Sequence, residues 1–162
     1  MRITRHPNGD ITIDQSAYID SILERYGMID CKPVSTPLAP GARLAKATEN
    51  DKLADERDYQ AIVGSLIYAM LCTRPDIGYT VQQLSQFCSK PTNAHYQAAK
   101  RALRYLKGTR DLGVTFRGSD NDTEEGVQSY CDVDFASNED RKSISGCLFT
   151  LAGAPISWEA KK

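Results

Sequence analysis

Apolar positions between Tyr59 and Phe87 fall at helical spacing in two successive runs. Ile62, Leu66, Ile67, Met70 and Leu71 mark the first, and Ile77, Val81, Leu84 and Phe87 the second. Thr73-Arg74-Pro75-Asp76 separates them. Proline disfavours helical geometry in the residue before it and suits the first turn of a helix. One helix is therefore expected to end near Cys72 and another to start with Thr73 or Arg74 as its boundary. Asp76 then falls in the first turn, where negative charge suits the helix dipole. The product is a helical hairpin that buries one stripe of each helix.

The remaining pattern brackets this hairpin. Met1 to Asp14 alternates, turns at Asn8-Gly9-Asp10 and alternates again, which reads as strand, turn and strand. Ser16 to Met28 carries Tyr18, Ile19, Ile22, Leu23 and Tyr26 on one helical face, with Ser16 as N-cap and Gly27 as the left-handed residue at its end. The prolines between Cys31 and Gly41 exclude regular structure. Residues 39–56 are polar, with Glu49, Asp51, Asp55 and Glu56 forming an acidic tract, and read as a mobile loop. A third helix is expected from Asn93 to about Lys107, capped by Thr92 or Asn93 and ended by Gly108, with Tyr96, Ala99, Leu103 and Leu106 buried. Leu112 to Arg117 reads as a strand. Residues 118–126 hold no large apolar side chain until the chain alternates again, and read as a linker at a domain boundary. Three strands follow, over Gln128–Phe135, Ser143–Leu151 and from Ile156 to Trp158, with a turn at Gly153-Ala154-Pro155. The class is α+β. A three-stranded meander needs a cover for its apolar face, and no later segment of the sequence supplies one.

Composition narrows the function classes. The 162 residues carry a net charge of −1, so any attraction to nucleic acid must come from a local patch. No apolar run is long enough to span a membrane, and the N-terminus has no signal-peptide pattern. The five cysteines are scattered without a C-x-x-C pair, which reads as reduced thiols inside a cell, with cytoplasm and nucleus both open. His6 and His95 lie near no cysteine at zinc-ligand spacing, and His95 reads as a capping or surface residue. From Asn93 through Arg110 there are basic residues and no acidic one. Lys100, Arg101, Arg104 and Lys107 lie largely opposite the buried stripe. Such a face is either solvated or a grip on duplex phosphates. Asp132 and Asp134 share one strand face, and on spacing alone they are ordinary strand-end acids. Trp158 reads as a core or edge aromatic.

The residues themselves say more. VGSLIYAMLCTRPDIGYTVQQLSQF keeps Tyr59, Val63, Gly64, Ser65, Leu66, Tyr68, Thr73 to Ile77, Val81, Leu84, Ser85 and Phe87 in an order that resembles the helical hairpin after the polymerase palm in copia-type LTR retrotransposon polyproteins. CKPVSTPL, AAKRALRYLKGT, YCDVDFAS, DRKSISGCLF and APISW extend the resemblance over nearly the whole chain. It implies that residues 1–117 are the C-terminal part of a reverse transcriptase: a primer-grip-like hairpin, a helical thumb-like bundle and a connection. It also implies that residues 127–162 are the N-terminal fragment of an RNase H-like domain, a truncated antiparallel β-meander. Met1 would then be an internal methionine of a longer frame.

The parent enzyme would be an RNA-directed DNA polymerase with ribonuclease H activity, using Mg²⁺ held by several carboxylates. By resemblance Asp132 takes the first metal-binding, catalytic position, and Lys100, Arg101, Arg104 and Lys107 take nucleic-acid-binding positions. The polymerase Tyr-x-Asp-Asp pair is absent, and so is the Ser-Ser-x-Glu-x-Glu run of the nuclease. Glu139 and Asp140 are not substitutes for it. Phe135 replaces the usual tryptophan, and Glu159-Ala160 replaces two serines. The chain alone is therefore expected to bind no Mg²⁺ and to catalyse neither reaction. Its expected partners are an RNA/DNA primer-template or hybrid duplex and the rest of the polyprotein, with no membrane. The alternative is a non-catalytic nucleic-acid-binding module or a retroelement relic.

Overall fold

The computed structural model describes residues 1–118, 126–134 and 144–161. Most of the expected 118–126 linker, together with Phe135, Glu139 and Asp140, lies outside the described residues.

The N-terminal alternation folds as β1 (Arg2–Arg5) and β2 (Ile11–Asp14), antiparallel, with Arg2 opposite Asp14. Gly9 takes φ +88° in the turn. A third strand, β3 (Gly113–Phe116), pairs with β2, giving the order β1-β2-β3. A Cβ on Gly113 would lie 2.4 Å from the Ile13 carbonyl, so only glycine lets the strands approach this closely.

Helix α1 runs Ser16–Arg25. Its cap is a correction to the sequence reading, because Gln15 is the N-cap and no side chain caps there. Ser16 instead donates its N–H and hydroxyl to Asp14 Oδ1, at 3.0 and 2.8 Å. Gly27 has φ +62° beyond the helix end, as expected, and its N–H meets the Glu24 carbonyl. Helix α2 is Glu56–Cys72, capped by the Asp55 carboxylate on the Asp58 N–H. Pro75–Ile77 makes a 3₁₀ turn before α3 (Gly78–Ser85), so the second helix starts a turn later than proline alone suggests. Helix α4 is Asn93–Gly108.

Ile19, Ile22 and Leu23 of α1 pack with Tyr59, Ile62, Val63, Leu66 and Ala69 of α2. Ile77, Val81 and Leu84 complete one side of that core, and Ala99, Ala102, Leu103 and Leu106 of α4 the other. Leu71, read from its spacing as part of the buried stripe, is 62% exposed. Residues 39–55 hold no helix or strand, and Glu56, read from the sequence as part of that loop, opens α2. The end of the loop is tied to the start of α4 by Ala54 N–H on Pro91 O and Asn93 N–H on Lys52 O, both 2.9 Å.

A second antiparallel sheet, β4 (Gln128–Asp134), β5 (Ile144–Leu151) and β6 (Ala154–Lys161), forms the meander. Its last turn is Ala152-Gly153, both at positive φ, rather than Gly153 to Pro155. A register shift at Phe149/Thr150 accommodates the early start of β6. The helical body meets this sheet. Trp158 donates its indole N–H to the Met70 carbonyl at 3.0 Å, Arg117 N–H reaches Ala152 O at 2.9 Å, and Ala154 is fully buried. One face of the meander is therefore partly covered from upstream. Phe149 and Leu151 remain 39% and 42% exposed.

Candidate functional site

The basic side of α4 is the first candidate. The helix begins with a capping box in which the Thr92 side chain accepts from His95 N–H and His95 Nδ1 accepts from Thr92 N–H, the latter at 2.9 Å. His95 is buried and stacks on Phe87 at 4.0 Å. Capping was legible in the sequence; the surface role is ruled out by this burial. Burial lowers the His95 pKa against the opposing pulls of the Ala45 backbone and Asp51.

Arg101, Arg104 and Lys107 all point at the proline-rich segment. Arg101 Nη2 donates to Thr36 Oγ1 at 2.9 Å, and Arg104 Nε to Lys32 O at 2.6 Å. Lys107 Nζ donates to Cys31 O at 2.7 Å and also to Ile29 O. Extended chain that cannot pair its carbonyls in a ladder takes cationic donors instead. The four basic residues thus divide. Arg101 and Lys107 are engaged with the 29–36 segment. Arg104 keeps both terminal guanidinium nitrogens without a partner among the described residues. Lys100 sits over the Tyr96 ring, its Nζ 5.0 Å from the centroid.

The hairpin is tied at both ends. Arg2 donates to Asp14 at 2.8 Å, and Asp10 accepts the Gly118 N–H at 2.9 Å. That backbone bond, with help from Asn8, holds the Asp10 carboxyl below its usual range. The hydroxyls of Thr12 and Thr115 meet at 2.9 Å, and His6 Nε2 lies 2.9 Å from Thr12 Oγ1.

Asp132 lies on β4 opposite Gly146, on the wall of a cavity of about 430 Å³ between the second sheet and the α2–α3 corner. Met70, Pro75, Tyr79, Tyr130 and Trp158 also line it. By register, Tyr130, Leu148 and Trp158 form one cross-strand row, and Cys131, Cys147 and Glu159 the next. Alternation puts Asp132 on the Trp158 side of the sheet and Glu159 on the other. The side chain of Asp134 lies outside the described residues. Among the described residues, no three His, Cys, Asp or Glu side chains are placed to hold a metal ion. This donor set does not fit a pair of Mg²⁺ ions, which requires a cluster of carboxylates.

The Thr73-Arg74-Pro75-Asp76 segment carries a role that its spacing did not reveal. Arg74 is fully buried. Its Nε and Nη2 grip Asp76 at 2.9 and 2.7 Å, and Nη1 and Nη2 reach Thr109 O and Oγ1 at 3.0 and 2.6 Å. Tyr105 donates its hydroxyl to Asp76 at 2.8 Å. The interhelical corner is thereby locked to the C-terminal end of α4.

Among the described residues, no helix is long and apolar enough to cross a membrane. No protein-family model and no solved structure significantly matches the chain. Curated relatives do. The chain is 41% identical over 169 residues to the retrovirus-related Pol polyprotein from transposon TNT 1-94 of Nicotiana tabacum, covering 99% of this chain and 12% of that protein. It is 42% identical over 159 residues to the Pol polyprotein from transposon RE1 of Arabidopsis thaliana, covering 98% of this chain and 10% of that one. It is 39% identical over 163 residues to the uncharacterized mitochondrial protein AtMg00810 of Arabidopsis thaliana, covering 100% and 65%. The chain spans about a tenth of the length of the two polyproteins.

Proposed function

Since the chain belongs to the Pol polyproteins of copia-type retrotransposons, we propose that it handles the primer-template within such a polyprotein and performs no chemistry by itself. Residues 1–117 supply the hairpin, thumb helices and connection of a reverse transcriptase. Residues 127–162 begin an RNase H-like domain, and the remainder of the polyprotein is the partner that completes both active sites. The parent activities are RNA-directed DNA synthesis and cleavage of the RNA strand of a hybrid.

The observation that carries this reading is the acid-free surface of α4. Arg104 offers two guanidinium nitrogens with no partner among the described residues, and the half-buried Lys100 offers an ammonium over the Tyr96 ring, on a helix whose C-terminal end is held by the Arg74 lock. Cations so placed suit backbone phosphates, which contribute affinity without sequence preference. Asp132 is the nuclease-site remnant of this reading. The described cavity wall holds Asp132 and Glu159, which alternation puts on opposite faces of the sheet, and no catalytic step is assigned to Asp132.

Ultraviolet crosslinking of a labelled RNA/DNA primer-template to the recombinant chain tests the assignment, with the adducts mapped by peptide mass. Adducts are expected on α4 and on the β1–β2 hairpin. The same chain with Mg²⁺ should neither extend primer nor cut hybrid. Adducts confined to other surfaces, or measurable extension or cleavage, would overturn it.

A second reading rests on the hydrogen bonds from Arg101, Arg104 and Lys107 to residues 29–36. Under it these cations are wholly structural, and the chain is a helical remnant with no affinity for duplex.

A further inference from the structure

Cys131 and Cys147 are direct cross-strand partners on β4 and β5, and their sulfurs lie 3.1 Å apart. Opposed residues in an antiparallel pair hold their Cβ atoms about 4.5–5.5 Å apart. A disulfide needs roughly 3.5–4.5 Å there and about 2.05 Å between sulfurs. Small side-chain and strand adjustments close that gap, because both thiols already point at each other from the same face.

That face is the one opposite Trp158, whose indole is turned to the helical body. Cys131 is exposed and Cys147 half-buried. The third member of this row is the exposed Glu159, and all three residues border the cavity between the second sheet and the α2–α3 corner. The Cys147 thiol pKa is raised, first by its hydrogen bond with Cys131 and then by burial, which keeps it protonated at neutral pH. Cys131 is therefore the entry point by access, and Cys147 the resolving thiol beneath it.

We propose that Cys131 and Cys147 form a dithiol site that reacts with small-molecule disulfides, such as glutathione disulfide, and is oxidised to a cross-strand disulfide. Cys131 loses its proton to solvent, and its thiolate attacks one sulfur of glutathione disulfide. That S–S bond breaks, one glutathione leaves as thiolate, and a mixed disulfide forms on Cys131. Cys147 then loses its proton, and its sulfur attacks Cys131 Sγ and expels the second glutathione. Two cysteines are oxidised by two electrons in total, and one glutathione disulfide is reduced to two glutathiones. The product ties β4 to β5 one residue from Asp132, on the opposite face. Cys31, Cys72 and Cys88, all half-buried, serve as internal controls.

The test uses the full chain with excess glutathione disulfide, followed by alkylation and peptide mass mapping. A linked Cys131–Cys147 peptide is expected, with Cys31, Cys72 and Cys88 still alkylated. Dithiothreitol should reverse the link, and the oxidised chain should melt at a higher temperature. Cys147→Ser should stop the reaction at glutathione on Cys131, and Cys147→Ala gives the same readout should the serine variant fail to fold. The proposal is overturned if Cys131 and Cys147 remain alkylatable in the wild-type chain. It is also overturned if the disulfides formed are those that Cys131→Ser leaves unchanged.

Discussion

Arg74 is the residue whose removal should cost this fold most. It is fully buried, and its guanidinium donates to both oxygens of Asp76 and to both oxygens of Thr109. Its Cζ also lies 5.6 Å from the centre of the Tyr105 ring. Truncation to alanine strips Asp76 of two charge-assisted bonds and leaves the carbonyl and hydroxyl of Thr109, just beyond α4, without that donor. Breaking a buried ion pair by removing one partner costs about 3–5 kcal/mol. Asp76 keeps the Tyr105 hydroxyl and is 26% exposed, so water relieves part of the loss. The expected cost is therefore at the low end, about 3 kcal/mol, against a typical total of roughly 5–15 kcal/mol.

Urea unfolding followed by circular dichroism measures it. With a slope of about 2 kcal/mol/M, the midpoint of Arg74→Ala should fall by about 1.5 M. Arg74→Met refills most of the volume and should recover only the packing share. Arg74→Met combined with Asp76→Leu removes both charges, and should be more stable than Arg74→Met alone. A midpoint for Arg74→Ala within about 0.5 M of the parent, or a double variant no better than the single, would refute this reasoning.

Three further outcomes follow from named contacts. His95 caps α4 only when neutral, and burial lowers its pKa below the unfolded value of about 6.5. The unfolded chain therefore binds the proton more readily, and stability should fall as pH drops below about 6.5. His95→Gln, which preserves a capping box, should flatten this slope between roughly pH 7.5 and 5, above the range where Asp10, Asp14 and Asp51 titrate. Gly113→Ala forces a Cβ against the Ile13 carbonyl and should cost about 1–3 kcal/mol. Hydrogen exchange should show lost protection across β2–β3, with β1–β2 retained. Trp158→Phe keeps an aromatic ring but loses the pyrrole N–H and its bond to Met70 O, and should lower stability by about 1 kcal/mol in a thermal melt.

What the sequence disclosed was local. The apolar spacing of Ile62, Leu66, Ile77, Val81 and Leu84 places two helices and their buried sides, because periodicity is a property of consecutive residues. The same logic finds Gly27, Thr92 and the strand Gly113–Phe116. It does not find that this strand pairs with Ile11–Asp14, since a partner so distant leaves no trace in spacing. Ser16 was misread because Asp14, two residues earlier, accepts its N–H and hydroxyl and holds it out of the capping position.

The candidate site shows the same division. Charge and helical phase put Lys100, Arg101, Arg104 and Lys107 on one side of α4. They say nothing of the carbonyls of Ile29, Cys31 and Lys32 or the Thr36 hydroxyl, which occupy three of them. Arg74 was read as a helix boundary, and only the tertiary contact with Thr109 shows why an arginine belongs there. The cross-strand position of Cys131 and Cys147 depends on a register that alternation within each strand leaves open.

The most direct test of duplex handling is the salt dependence of binding. Fluorescence anisotropy with a labelled RNA/DNA primer-template gives the affinity across a series of salt concentrations for the parent, Lys100→Ala and Arg104→Ala. Both substitutions leave Arg101 and Lys107 on the 29–36 segment, so circular dichroism should stay unchanged. Affinity should fall steeply with salt, with a log–log slope reduced by about 1 in each variant. Well-folded protein that does not bind at low salt, or binds with a slope that neither substitution alters, would contradict duplex handling by α4.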